Sequence, residues 1–428
     1  MQARNRTLAL LLIVSFVAAG CGSATPTVTP IPATATGVAL APTNTLPSPT
    51  STPAPPTDTP MPPTATHTPV PPTPTVPTPT PTVPPPAECS GALAGCVQAY
   101  MESLDAQSSF SGAVLLAQDG EPIFKGAYGL ADRALGIPNQ VDTKFNLGSM
   151  DKMFTAIAIL QLVERGQLSL DAKVGDLLPD YPNEQVALTV TVHQLLIHTA
   201  GLGDWSESPR FPDLHDQIRG VDDYLPLFVD TPLEFDPGAR FRYSNSGYIV
   251  LGLIIEQVTG QSYYDYVREN VFEPCGMANT AAYELDAGLP DLALGYTRMD
   301  IDGSELDEIT DYQFAMPMRG GPSGGGFSTV EDLLRFRNGL LDHRLLSPES
   351  TDLLLAGKVR LGEGAQYAYG FIDRIQEGQR VVGHSGGAPG VCNFLDIYLD
   401  SGYTLIILSN SDGDCLLALQ AIEEALAP

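Results

Sequence analysis

Ser149-Met150-Asp151-Lys152 sets a hydroxyl and an amine three residues apart, about one helical turn, so that both project from one face. A serine hydroxyl is a poor nucleophile at neutral pH. It needs a base within hydrogen-bond reach and donors for the oxyanion that forms when it attacks a carbonyl. Lys152 can be that base once burial or a second cation strips its proton. The stretch from Met153 to Val163 is apolar nearly all round, which predicts a buried helix. Ser149, following Leu147-Gly148, then stands at the helix N-terminal end, where free N–H groups and positive partial charge favour an alkoxide or oxyanion. Of the five lysines (Lys125, Lys144, Lys152, Lys173 and Lys358), only Lys152 has a serine three residues before it.

A lone Ser-x-x-Lys is usually a solvated pair, so the case rests on an ordered set. Tyr243-Ser244-Asn245 follows Phe235-Asp236-Pro237-Gly238 and precedes the apolar run Tyr248 to Ile255, a loop-to-helix junction of the kind that carries function. Its sequence twin, Tyr181-Pro182-Asn183, lies in a proline-containing turn, where Asn183 serves the bend. His384-Ser385-Gly386 completes the order near the C-terminus.

These motifs resemble those of the serine hydrolases that group class C β-lactamases with penicillin-binding proteins, D-aminopeptidases and related esterases. The resemblance spans most of residues 108–412. It includes Phe145 to Lys152, Leu162 to Asp171, His193 to Leu202, Phe235 to Gly238 and Gly326 to Leu333. It implies that Ser149 is the acylated nucleophile, that Lys152 accepts its proton, and that Tyr243 relays a proton among serine, lysine and leaving group. It also implies that Asn245 contacts substrate, together with His384, Ser385, Gly386 and Gly387, and that the oxyanion hole is the backbone N–H of Ser149 and of Gly387. The division of labour between Lys152 and Tyr243 stays open, as it does for the acylation base of the related class A enzymes.

Two positions depart from the family pattern. His384 and Ser385 stand where typical β-lactamases carry lysine and threonine, and a histidine is mostly neutral at pH 7. A permanent cation for a substrate carboxylate is therefore missing, which argues against efficient β-lactam hydrolysis and leaves the peptidase, aminopeptidase and esterase branches. Ala200, where serine is usual, is a structural change.

Gly383-His384-Ser385-Gly386-Gly387 and Gly321-Pro322-Ser323-Gly324-Gly325 also fit the Gly-x-Ser-x-Gly elbow of α/β-hydrolases. Ser385 fails because no histidine follows His384 and because a strand-like run, Phe394 to Leu399, comes after it. Ser323 fails because the stretch before it contains Pro317. The loop at 320–326 reads instead as small residues that let backbone approach substrate or a neighbouring element.

The elements that must position these groups divide sharply by composition. Residues 1–21, with Arg4, Arg6 and an apolar run from Leu8 to Ala19, read as a secretion signal. Ala18-Ala19-Gly20-Cys21 resembles a bacterial lipobox with Cys21 as the lipidated residue, which places the protein on the outer face of the cell membrane. Ordinary cleavage at the same small residues would leave it secreted. Residues 22–86 are threonine- and proline-rich, with Asp58 as their one formal charge, and cannot bury a core. At about 3.1 Å per residue they would form a stalk reaching roughly 200 Å.

Residues 87–428 make one large domain. Strand-like runs flank Asp119-Gly120, a hairpin signal, and more strands appear at Arg380 to Gly383, Phe394 to Leu399 and Tyr403 to Leu408 before a helix from about Asp414 to Leu426. Strands at both ends with helices between predict an α+β sandwich. A sheet lobe (87–148 and 360–428) would be flanked by helices and completed by a mostly helical lobe (149–359), as in the β-lactamase/transpeptidase-like fold. The three motifs would meet where the lobes meet.

The formal net charge of −28 falls almost wholly outside the stalk, which argues against nucleic acid as a partner. The histidines and cysteines show no zinc spacing, and no cofactor is expected. Beyond Cys21, the expected disulfides are Cys89–Cys96 and Cys392–Cys415, with Cys275 a small buried apolar residue. Trp205, Phe211, Tyr224 and Phe228 line either a cleft or the core. The reading is a cell-surface serine hydrolase that forms a Ser149 acyl-enzyme with an amide or ester, most simply a D-peptide or cell-wall-related substrate. A small-ester esterase, a weak β-lactamase and a non-catalytic binding protein are the alternatives. Oligomeric state is not legible.

Overall fold

The computed structural model describes residues 92–426 apart from Pro290, 301–303 and 313–315. The expected signal, stalk, Cys21 and Cys89 lie outside the described residues.

Asp119 and Gly120 take φ of 50° and 84°, the two left-handed residues that a type I′ turn requires. They join β1 (Gly112–Gln118) to β2 (Glu121–Tyr128). Six further strands come from the C-terminal part: β3 (Val359–Gly362), β4 (Ala365–Tyr367), β5 (Ile372–Gln376), β6 (Gln379–Ala388), β7 (Val391–Tyr398) and β8 (Tyr403–Ser409). All eight form one antiparallel sheet in the order β2-β1-β8-β7-β6-β5-β4-β3. The distant ends of the domain are closed on each other by β1 and β8, paired from Gly112↔Ser409 to Gln118↔Tyr403.

Among the described residues, five helices have twelve residues or more: α1 (Leu93–Ala106), α2 (Asp151–Glu164), α3 (Asn245–Thr259), α4 (Val330–Leu341) and α5 (Asp414–Leu426). Alternation along the strands sends successive side chains to opposite faces. Val114, Leu116, Leu405 and Ile407 thus pack with Val97, Met101 and Leu104 of α1 and Leu419 and Ile422 of α5. Ala113, Leu115, Ile406 and Leu408 face the other way and share a core with Phe154 and Ile157 of α2 and Phe336 of α4. Each fully buried Leu or Ile contributes on the order of 2 kcal/mol. A Cys392–Cys415 disulfide staples β7 to α5. Cys96 is also disulfide-bonded, and Cys275 is free and buried.

The result is the expected α+β sandwich of sheet flanked by helices, with a mostly helical lobe inserted between β2 and β3. One departure is a small hairpin inside that lobe, Tyr296–Met299 paired with Glu305–Asp311. Another is α1, which the sequence expectation omits. In α2 every residue from Asp151 to Leu162 is buried, as an all-round apolar helix demands. That burial draws the first turn of α2, with its carboxylate and amine, out of water.

Candidate active site

Ser149 stands on a single 3-10 turn, Gly148–Met150, that runs directly into α2. Gly148 holds φ of 52°, and its N–H donates to Asn146 Oδ1 at 2.8 Å. One turn on, the Lys152 side chain is fully buried. Its Nζ lies 3.1 Å from Ser149 Oγ and 2.7 Å from Asn245 Oδ1, and it also donates to the Ser323 carbonyl. Loss of water pushes Lys152 down from 10.5 to about 7, against the opposing charges of Asp204 and Asp151.

A neutral amine has two hydrogens and one lone pair. Asn245 Oδ1 and the Ser323 carbonyl are pure acceptors and take the two hydrogens. The lone pair is left for the Ser149 hydroxyl.

Tyr243 and Asn245 sit at the start of α3, as the loop-to-helix reading requires. The Tyr243 ring lies 4.8 Å from Lys152 Nζ. Its buried hydroxyl neighbours Ser149 but closes no hydrogen bond of ordinary geometry. Burial holds this phenol well above 10, reinforced by Asp204 and Tyr248, whereas the Ser149 hydroxyl acts to lower it. Asn245 is engaged at both ends, because its Nδ2 donates to the Asp204 carboxylate at 2.9 Å. Asn183 of the twin motif instead caps the helix Glu184–Thr189, a structural role.

The third motif lies within β6, antiparallel to β7, with Ser385 opposite Phe394. His384 is buried, its Nε2 3.0 Å from the Tyr367 hydroxyl and its Nδ1 2.6 Å from the Ser385 carbonyl. Burial, then the Lys152 charge, lowers His384 from 6.5 to about 3, so it is uncharged at pH 7. Gly386 has to be glycine: a Cβ there would stand 1.9 Å from the Leu147 carbonyl oxygen. A Cβ on Gly148 would meet the Gly387 nitrogen at 2.9 Å, so the backbone before Ser149 rests on that of Gly387. Ser385 is half-buried and Gly387 exposed. The three motifs thus converge between sheet and helical lobe.

The small-residue loop approaches a neighbouring element, the Ser149 turn. Gly325 N–H donates to the Gly148 carbonyl at 3.3 Å and Gly326 N–H to Asp151 Oδ2 at 2.5 Å. Neither elbow serine is an elbow. Ser385 lies inside a strand, and Ser323 is buried with its Oγ accepting from Trp205 Nε1 at 3.2 Å. Of the four aromatics, Tyr224 and Phe228 belong to the core, while Trp205 and Phe211 are half-buried, their rings tilted against each other at 5.3 Å.

Sequence reasoning assigns no role to Asp151, Asp204, Tyr367 or His198, and weighs Ser323 only as an elbow nucleophile. Asp151 is a buried carboxyl raised from 3.8 to about 7 by desolvation, against the Gly326 N–H and Lys152. His198, at φ 57°, lies against the Tyr243 ring at 4.3 Å and accepts from Ser244 N–H through Nδ1. Among the described residues no group of three or more His, Cys, Asp or Glu side chains is placed to hold a metal ion.

The family model described as Beta-lactamase matches residues 93–426, the whole sandwich. The chain belongs to the beta-lactamase family. This beta-lactamase-family chain is 32% identical over 333 residues to penicillin-binding protein 4* of Bacillus subtilis (strain 168), covering 74% of this chain and 72% of that one. It is 36% identical over 203 residues to esterase EstB of Burkholderia gladioli, 44% of this chain and 51% of the esterase. It is also similar to the solved D-amino acid amidase of Ochrobactrum anthropi SV3, with a TM-score of 0.67 and 25% identity, covering 78% of this chain and 99% of the amidase. A beta-lactamase-family chain with these relatives is a serine hydrolase that acts on amides or esters.

Proposed function

We propose that Ser149 is the acylated nucleophile, Lys152 its general base and Tyr243 the acid that protonates the leaving group, on an amide or ester of a D-amino acid or D-peptide. The observation that carries this reading is the donor arithmetic at Lys152 Nζ, with two pure acceptors and the Ser149 hydroxyl around a buried amine. Ser149 Oγ attacks the carbonyl carbon as its proton passes to Nζ. The oxyanion is held by the N–H groups of Ser149 and Gly387. Collapse expels the amine or alcohol, which takes its proton from the Tyr243 hydroxyl, and the Lys152 ammonium reprotonates Tyr243. Water then hydrolyses the acyl-enzyme by the reverse proton path. Tyr243 is the weaker candidate for base, because its phenol is held far above neutrality while the lysine is held near it.

The substrate class follows from charge. An uncharged His384 brings no cation to β6 beside Gly387, which favours substrates whose leaving side is neutral, such as amides and esters, over those ending in a carboxylate. The amidase relative supports a D-configured acyl group. The lipobox-like Cys21 supports attachment to the extracellular face of the cell membrane.

Intact mass of residues 87–428 tests the assignment. A fluorophosphonate is expected to add one phosphonyl group to the wild type and none to Ser149→Ala, and a D-amino acid p-nitroanilide to be hydrolysed only by the wild type. An adduct that persists in Ser149→Ala would overturn it.

A further inference from the structure

Asp204 takes no part in the proton path above, yet its carboxylate is fully committed at the edge of the site. It accepts from Asn245 N–H at 2.8 Å, from Asn245 Nδ2 at 2.9 and 3.2 Å, and from the Ser206 N–H and hydroxyl at 2.9 and 2.7 Å. Four donor groups in five contacts use up the roughly four lone-pair directions of a carboxylate, so little is left for a substrate. The residue is itself fixed. It caps the short 3-10 turn Trp205–Glu207, and the preceding Gly203 carbonyl accepts from Ser244 Oγ at 2.8 Å.

We infer that Asp204 is a positioning residue, which locks the Asn245 amide with its carbonyl oxygen toward Lys152 and supplies a negative charge at the amine. It rests on the acylation reading above. The two ends of a primary amide are nearly isosteric, so something must decide which end faces the lysine. Only a pure acceptor behind Nδ2 forbids the flipped amide, which would aim oxygen at carboxylate and N–H groups at the ammonium. With Oδ1 forward, Asn245 takes one Lys152 hydrogen, the Ser323 carbonyl takes another, and the lone pair is left for Ser149. Asp204 therefore chooses, through Asn245, which side of the amine is basic.

The other titratable groups around Lys152 are Asp151 at its own helix start, His198, Tyr243 and Tyr248 from the facing segment, and His384 from β6. Burial keeps both imidazoles and both phenols uncharged near pH 7. The fixed negative charges are then Asp204 and, once ionised, Asp151. Removing the first lets Lys152 lose its proton at lower pH, a direction that general loosening of the site, by admitting water, would not produce.

The test is a lysine side-chain NMR titration, tractable with five lysines and a Lys152→Arg control for assignment, run beside the pH dependence of Ser149 labelling by an uncharged fluorophosphonate. In Asp204→Asn the Lys152 midpoint is expected to fall by about one unit, and the acid limb of labelling to move with it. Its plateau rate is expected to drop about tenfold or more as the amide loses its lock. Asp204→Glu keeps the charge, so its midpoint stays near the wild-type value while its plateau falls. Should Asp204→Asn not fold, the reciprocal pair decides: Asn245→Asp alone sets two carboxylates together and loses rate, and adding Asp204→Asn restores a donor–acceptor pair and recovers rate. A wild-type midpoint and plateau in Asp204→Asn, or no recovery in the double variant, would overturn the inference. If wild-type Ser149 resists the label while the Lys152 midpoint still falls in Asp204→Asn, the acylation reading fails and the role of Asp204 at the amine stands.

Discussion

The rate at which Ser149 is acylated should titrate with Lys152. An ordinary lysine at 10.5 would be neutral in roughly one molecule in 3,000 at pH 7, whereas a value of about 7 makes it neutral in about half. The depressed value therefore raises the population of base about a thousandfold. The sign follows from which form reacts. Only the neutral amine accepts a proton, so the rate rises with pH and levels above pH 7. The fraction of base is about a tenth at pH 6 and about a hundredth at pH 5. His384, already neutral at pH 5 because its own value is about 3, adds no second inflection in that range.

The assay is the pseudo-first-order constant for labelling by an uncharged fluorophosphonate, followed by intact mass from pH 5 to 9, which needs no knowledge of the natural substrate. A line of unit slope bending near pH 7 is expected. Lys152→Arg, permanently charged, should lose about a hundredfold or more at the plateau. A constant that varies less than twofold across the range, or one still rising with unit slope at pH 9, would refute Lys152 as the base.

Tyr243→Phe should melt close to the wild type, because the lost hydroxyl closes no hydrogen bond of ordinary geometry, yet lose more turnover on a D-amino acid anilide than on a p-nitrophenyl ester, whose leaving group departs without a proton. Equal losses on both would remove the leaving-group role. Gly386→Ala should lower both melting temperature and labelling rate, since the added methyl meets the Leu147 carbonyl oxygen at 1.9 Å and such overpacking costs about 1–3 kcal/mol. An unchanged melting curve would contradict the packing of β6 on the Ser149 turn. The double variant Cys392→Ser/Cys415→Ser opens a loop with a sequence separation of 23 and should lose about 3 kcal/mol in urea unfolding while the labelling rate stays within twofold. A fall in labelling rate would tie the staple to the site.

What was legible in the sequence was local. Asp119-Gly120 dictates its hairpin because two adjacent residues that tolerate positive φ leave few other turns open. Ser149 and Lys152 share a face through helical geometry alone, and Tyr243 and Asn245 are placed by the apolar run that makes α3. Helix α1 also carries its signal, Val97, Tyr100, Met101 and Leu104 at i, i+3, i+4 and i+7, but it adjoins the proline-rich stretch and the expectation omits it. The supports of the site were not legible, because each is a contact across many residues. Asp204 meets Asn245 41 positions away, and the Ser323 carbonyl reaches Lys152 across 171. An Asp before Trp205-Ser206 can be read as a cap, but nothing local says that its carboxylate also holds an amide at the start of another helix.

Lys152 and Asp151 show why the site takes this form. Adjacent on the first turn of α2, they engage two points of one loop, the lysine at the Ser323 carbonyl and the carboxylate at the Gly326 N–H. Both are buried, and each is destabilising when charged, in opposite pH windows. Lys152 is lowered from 10.5 to about 7, so its penalty is full below pH 7 and fades as pH rises toward 10.5. Asp151 is raised from 3.8 to about 7, so its penalty is absent below pH 3.8, grows as pH rises and is full above pH 7. Holding the lysine at about 7 instead of 10.5 costs at most about 5 kcal/mol, comparable with the whole stability of many domains. A fold can carry that burden only if the rest of the sandwich offsets it, and the same dehydration is what makes the amine basic at neutral pH. The glycines at 320–326 fit this arrangement, because only a loop nearly free of side chains brings a carbonyl to the amine and an N–H to the carboxylate at once. The instability of this turn and its chemistry are therefore one property, and a variant that rehydrates Lys152 should gain stability at pH 6 as it loses its base.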